Sequence, residues 1–178
     1  PPVMANASNT VALWPASLAS AWAYRRELAK HRAWVAVLSG IALLGGMGGA
    51  LLLLAISNAS FSRLIPWLLL LATLLFAFSD QIGRGIAAAK RRLGLPHADT
   101  AVDTPLRGGV GGLLFQVIVS VYGGFFGAGQ GILLLAALSI QGVRDIQELN
   151  AIKNWLSAVV YTVSALTFVF AGAVSWPH

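Results

Sequence analysis

The chain has 178 residues, 57% hydrophobic and only 10% charged, with a formal net charge of +6 and a mean hydropathy of +0.76. A soluble globular domain carries roughly a quarter charged residues, so this composition excludes a surface solvated mainly by water. Cysteine is absent, which excludes a disulfide framework and thiolate chemistry.

The charges are segregated as well as scarce. Asp, Glu, Lys and Arg are missing from residues 1–24, 33–56, 64–79, 108–143 and 154–178. A helix crossing the hydrocarbon core needs about 20 apolar residues, and a spanning strand would show alternating polarity. The runs are long and do not alternate, which predicts an all-α, polytopic membrane bundle. The basic residues border these runs, so anionic lipid and membrane topology explain the positive charge better than nucleic acid does. The chain opens at Pro1-Pro2 without Met and closes on Trp176-Pro177-His178 directly after an apolar run. Both are expected where a longer protein continues, and the first residues do not read as a signal peptide.

The first helix is predicted over about residues 5–26. It leads into Arg25, Arg26, Glu27, Lys30, His31 and Arg32, a basic loop that belongs on the cytoplasmic side. Trp22, Tyr24 and Trp34 flank it as an interfacial aromatic belt would. A second helix, about 33–56, returns outward. A third, about 62–82, comes back in with Pro66 near its start, where the missing N–H costs little. Residues 80–107 form the one soluble segment, carrying Arg84, Lys90, Arg91, Arg92 and Arg107. It is expected to be cytoplasmic, with a helical first half at 83–93 that is broken at Leu95-Pro96-His97.

The stretch 108–143 is too long for one simple crossing. It is interrupted by Gly123-Gly124-Phe125-Phe126-Gly127-Ala128-Gly129-Gln130-Gly131. Glycine in a helix interior is destabilising by roughly 1 kcal/mol relative to alanine, so this density predicts a break: a half-helix, an extended glycine segment and a second half-helix through Leu138. Arg144, Asp145 and Glu148 follow as a polar cap, and the last helix runs over about 146–171.

Asn6-Ala7-Ser8-Asn9-Thr10 can be laid on Asn150-Ala151-Ile152-Lys153-Asn154. Basic residues follow the first copy and no charge follows the second, so the two repeats are expected to be inverted in the membrane. Inverted repeats with discontinuous helices are common in secondary transporters. The count requires 108–143 to enter and leave on the same side as a re-entrant hairpin. The organisation expected is a first repeat over 1–79, a cytoplasmic loop over 80–107 and a second repeat over 108–178, each repeat lacking part of its helices.

These residues carry a resemblance. Pro1–Thr10 with Tyr24-Arg25-Arg26 resembles the first helix of the TauE/SafE sulfite exporter family. Gly123–Gly131, Asn150–Asn154 and Ala171–Trp176 resemble its second half, in the same order and spacing. The resemblance implies a multi-pass permease of the cell (inner) membrane that moves sulfite, sulfoacetate or related organosulfur anions. The family's usual first glycine-rich segment would lie before Pro1, and further helices would follow His178.

Three sets of residues are candidates for anion binding. Backbone N–H groups freed at Gly124, Gly127, Gly129 and Gly131, with the amide of Gln130, could face an anion as half-helix N-termini do. The competing reading is close packing through Gly123, Gly127 and Gly131 at small-xxx-small spacing. That reading is preferred for Gly45 and Gly49, whereas the glycine density at 123–131 exceeds what packing requires. Lys153 is the second candidate, because a charge at membrane depth is costly and functional by default. Its alternatives are snorkelling to the interface or pairing with Glu148 or Asp145. Asn6, Asn9, Thr10, Asn150 and Asn154 form the third set, either as amide and hydroxyl donors to an oxyanion or as helix caps.

The remaining patterns are exclusions. His31, His97 and His178 are far apart, so no metal site or cofactor is expected. No Ser/His/Asp set or nucleophile elbow is present, which leaves an intramembrane enzyme without paired catalytic groups. A membrane scaffold using its glycines only for packing is the rival from another class. The expected partners are a small anion and the bilayer, and self-association into a homo-oligomer stays open.

Overall fold

The computed structural model describes residues 1–29, 32–78, 81, 85, 109–143 and 145–175, and within these the chain forms seven helices and no strand. Apart from Gln81 and Gly85, the basic segment 80–107 with its helical extension lies outside the described residues, as do Lys30, His31, Arg144 and Trp176. Helix α1 is Pro2–Ala23, α2 Arg25–Leu28, α3 Arg32–Ala55 and α4 Asn58–Ala77. Helix α5 is Gly109–Phe125, α6 Gln130–Ile140 and α7 Ile146–Phe170.

Several boundaries move for local reasons. Pro2 sits at the start of α1, where its fixed φ suits the first helical position. The helix therefore begins ahead of Asn6. Asn6 and Asn150 both lie inside their helices rather than at the cap. Asp145 caps α7 instead, accepting from the Gln147 and Glu148 N–H groups at 2.7 and 3.4 Å. Helix α4 begins at Asn58, which places Pro66 in the helix interior rather than in its first turn. The ring denies the Ser62 carbonyl its usual donor.

Two of these helices are long and apolar enough to cross a membrane: α3 with 24 residues and α7 with 25. At 1.5 Å per residue each reaches about 36 Å, against about 30 Å of hydrocarbon. Helix α7 runs parallel to α3, with Trp155 against Ser39 and Ser164 against Gly46. It runs antiparallel to α1, with Trp14 against Thr162 and Ser8 against Ser175. Helices α5 and α6 form an antiparallel hairpin. Gly112 faces Gln141 at its open end and Gly123 faces Gln130 at its closed end.

The core has two parts. Leu38 and Ala42 of α3, Val119 of α5, Leu134 and Leu138 of α6, and Leu156 of α7 fill the larger one. Ala7, Leu53, Phe61 and Phe168 fill the other, which brings α4 against α1, α3 and α7. Trp34 is only 1% exposed and belongs to the larger core, so it is not an interfacial anchor.

The outer surface is apolar. Leu44 is 66% exposed, Trp67 71%, Val110 74% and Phe170 86%. Fully burying such a side chain is worth about 1.5–3 kcal/mol, so an outer face built this way suits lipid.

Helices α3 and α5 touch backbone to backbone. A Cβ built on Gly49 would collide with the Val121 carbonyl oxygen, and one on Gly124 with the Gly46 carbonyl oxygen. On Gly45 it would lie 2.6 Å from Ser120 Cβ. Only residues without a side chain allow this approach, which agrees with the packing role expected for Gly45 and Gly49 and extends it to Gly124.

Candidate functional site

The hairpin turns at residues 126–129, and its geometry requires glycine. Gly127 has φ +79° and Gly129 φ +74°, a region costly for residues with a Cβ. Helix α5 ends as the Phe126 and Gly127 N–H groups donate to the Tyr122 carbonyl at 2.9 and 3.2 Å. The Tyr122 hydroxyl donates to the Ala128 carbonyl at 2.6 Å and fastens the turn. Helix α6 then starts with Gly129 as its cap residue, and no side chain caps it. The first N–H groups of a helix have no intrahelical acceptor and carry the positive end of its dipole.

Other helices converge on this turn. Asn6 of α1 donates its amide to the Phe125 carbonyl at 3.1 Å. Phe61 of α4 packs edge-on against Phe125 and Phe126, with centroids 5.7 and 6.4 Å away. Ala72 of the same helix lies against Gly129. From α7, the Tyr161 hydroxyl lies 3.7 Å from where a Gly127 Cβ would be, and Lys153 Cδ lies 3.9 Å from that of Gly131. The Lys153 ammonium donates to Asn150 Oδ1 at 3.2 Å.

Several of the expected residues thus meet at one place, and Asn9, Gly124 and Asn154 stand apart. Gly127, Gly129, Gly131, Asn6 and Lys153 lie at or against the turn, and Asn150 is linked to it through its bond from Lys153. Thr10 is buried and donates to the Asn6 carbonyl on its own helix at 3.0 Å. Asn9 lies on the exposed side of α1, and Gly124 lies in the contact with α3. Replacing Asn6 by alanine removes the tie between α1 and the turn. It is expected to cost about 1 kcal/mol of stability, read as a lower midpoint in thermal unfolding of the intact protein. An unchanged midpoint would show that this bond contributes nothing.

Asn154 occupies a second polar position. With Ser157 and Tyr161 it forms one face of α7, three and four residues apart as a helix face requires. Ser17 and Ser20 of α1 oppose them across a cavity of about 230 Å³. The serines and Tyr161 were not singled out in the sequence. Their signal is periodic: hydroxyl and amide residues recur on one face of otherwise apolar helices.

Two glutamines that the sequence did not single out, Gln116 and Gln141, join the expected Gln130. Gln130 is 2% exposed, Gln116 0% and Gln141 2%. Neither amide atom of Gln130 or Gln141 has a hydrogen-bond partner among the described residues, nor does Gln116 Oε1. An unpaired buried amide is costly, at about 1–3 kcal/mol. Gln130 and Gln141 face Gly123 and Gly112 across the hairpin, which makes its inside polar at both ends. Each stands in the charge-free stretch 108–143, where a glutamine is visible by contrast. Among the described residues no cluster of His, Cys, Asp or Glu could hold a metal ion.

A family model described as "Sulfite exporter TauE/SafE" matches residues 1–178, the whole chain. No curated protein and no solved structure matches it.

Proposed function

The chain belongs to the TauE/SafE sulfite exporter family, membrane transporters of sulfite-type anions, and on that premise we propose that it carries sulfite or an organosulfonate through a site at the helix turn. One juxtaposition carries this reading. The N-terminus of α6, which no side chain caps, and the stem of Lys153 lie side by side at Gly131. A helix start carries roughly half a positive charge, and a lysine side chain that passes it and ends in an ammonium makes that region attractive to an anion. The hydroxyls of Ser20, Ser157 and Tyr161 and the amide of Asn154 line the adjoining cavity and are suited to the oxygens of a small oxyanion.

The transport cycle we propose is alternating access between inverted repeats. The antiparallel run of α1 and α7 supports it, as does the matching position of Asn6 and Asn150 one turn inside each helix. The same reading places the protein as a multi-pass component of the cell membrane, with the α5–α6 hairpin entering and leaving on one side.

A packing-only scaffold is the second reading, favoured by the contact of Gly45, Gly46, Gly49 and Gly124 between α3 and α5. Sulfite flux separates the two. Liposomes holding the intact protein are expected to release trapped sulfite faster than protein-free liposomes, with sulfonates competing. Equal release from both would remove the transport reading and leave the scaffold.

A further inference from the structure

A groove on the outside of the bundle, which shares no lining residue with the cavity beside the turn, has its own chemistry. Between α1, α3 and α7 lies a cavity of about 650 Å³ walled by Leu18, Trp22, Leu43, Val163 and Leu166. Thr162 is its one hydroxyl, and that group is occupied. It accepts from Trp14 Nε1 at 2.8 Å and donates to the Ala158 carbonyl at 2.6 Å. A second cavity of about 540 Å³ is walled by Leu28, Val35, Ala36 and Arg32. The two share Arg25 and Trp155. Trp155 is fixed between them by a 2.7 Å hydrogen bond from its N–H to Ser39 Oγ. The result is an apolar cleft, large by the standard of ligand sites at about 300–1,000 Å³, with cationic side chains where α1 ends and α3 begins.

Arg25 is held in place there. Its guanidinium carbon lies 4.6 Å from the Trp22 ring centre and one nitrogen donates to the Trp22 carbonyl at 3.0 Å. The rest of the planar fork is left to face a ligand. Arg32 lines the second cavity with Arg25, and exposed Arg26 and the acidic Glu27 follow Arg25 in the same short helix.

We propose that this groove binds an anionic phospholipid, with an acyl chain along the apolar wall and the phosphate at Arg25 and Arg32. A guanidinium fork matches a phosphate bidentately, and basic pockets between membrane helices on the cytoplasmic side take anionic headgroups. Free phosphate would satisfy the arginines but leave the apolar wall without a partner, so a lipid is the better match to the whole cleft. This inference does not rest on the anion site at the turn.

Native mass spectrometry of the intact protein tests it, with phosphatidylglycerol and phosphatidylcholine as probes. Phosphatidylglycerol is expected to bind preferentially, and the Arg25→Ala/Arg32→Ala pair to weaken it about thirtyfold. Leu43→Trp, which narrows the groove while keeping both arginines, is expected to weaken it too. Arg63→Ala, on α4, is expected to leave it unchanged, and the lipid-free melting midpoint of each variant reports whether it is folded. The proposal is overturned if the two lipids bind equally, if the arginine pair binds as wild type, if Arg63→Ala loses as much, or if a second copy of the chain occupies the groove.

Discussion

Gly49→Ala is expected to melt well below the wild-type protein, while Gly48→Ala, one residue away, melts with it or slightly above. The added methyl at Gly49 would meet backbone on every side: the Val121 carbonyl oxygen, Phe125 N at 2.7 Å and Gly124 C at 3.0 Å. Backbone cannot rotate aside as a side chain can, so α3 and α5 must separate and lose their contact along the seam. Overpacking of this kind costs typically about 1–3 kcal/mol, sometimes more. At Gly48 a Cβ meets nothing within 4 Å, and alanine there gains about 0.5–1 kcal/mol of helix stability. Thermal unfolding of the two variants in the same detergent reads the difference directly. Equal midpoints would mean that the helices are not in backbone contact.

Lys153→Ala is expected to lower sulfite flux about ten- to hundredfold, the loss of one charge-assisted hydrogen bond at about 1.5–3 kcal/mol. Lys153→Arg keeps the charge and should recover part of the flux. The variant should fold, because Lys153 is only partly buried and its hydrogen bond is to a neutral amide one turn away. Flux and melting midpoint are therefore measured on the same preparation. Wild-type flux from Lys153→Ala would remove the site at the turn even if transport itself stood. Flux lost together with the fold would assign the lysine to structure instead.

The helices were legible in the sequence because their signal is long and one-dimensional. Charge-free runs gave α1, α3, α4 and α7, and the glycine density located the interruption that the structure places at residues 126–129. Helix ends were less legible. They depend on single residues, such as Pro2 opening α1 and Asp145 rather than Asn150 capping α7. The expected site residues fell into groups by a criterion no sequence states, namely which face of a helix looks inward. Asn6 faces the turn and Asn9 does not. Gly127 bends the chain, whereas Gly124 gives its space to another helix. Ser17, Ser20 and Tyr161 went unread because hydroxyl residues in apolar helices also bond quietly to their own backbone, as Ser17 does to the Trp14 carbonyl at 2.6 Å. Only the opposition of two helices across a cavity sets them apart.

The carbonyl of Gly46 seated in the notch of Gly124 works as a detent. A detent blocks sliding, since moving either helix along the other would first have to lift a peptide group over the rim of its socket. Helices α3 and α5 must then travel together as one strut in any working cycle, and displacement falls to the elements that lean on the turn through side chains, α1 and α4. Pairs of spin labels on α3 and α5 should hold one separation throughout turnover, while labels on α4 and α5 should not.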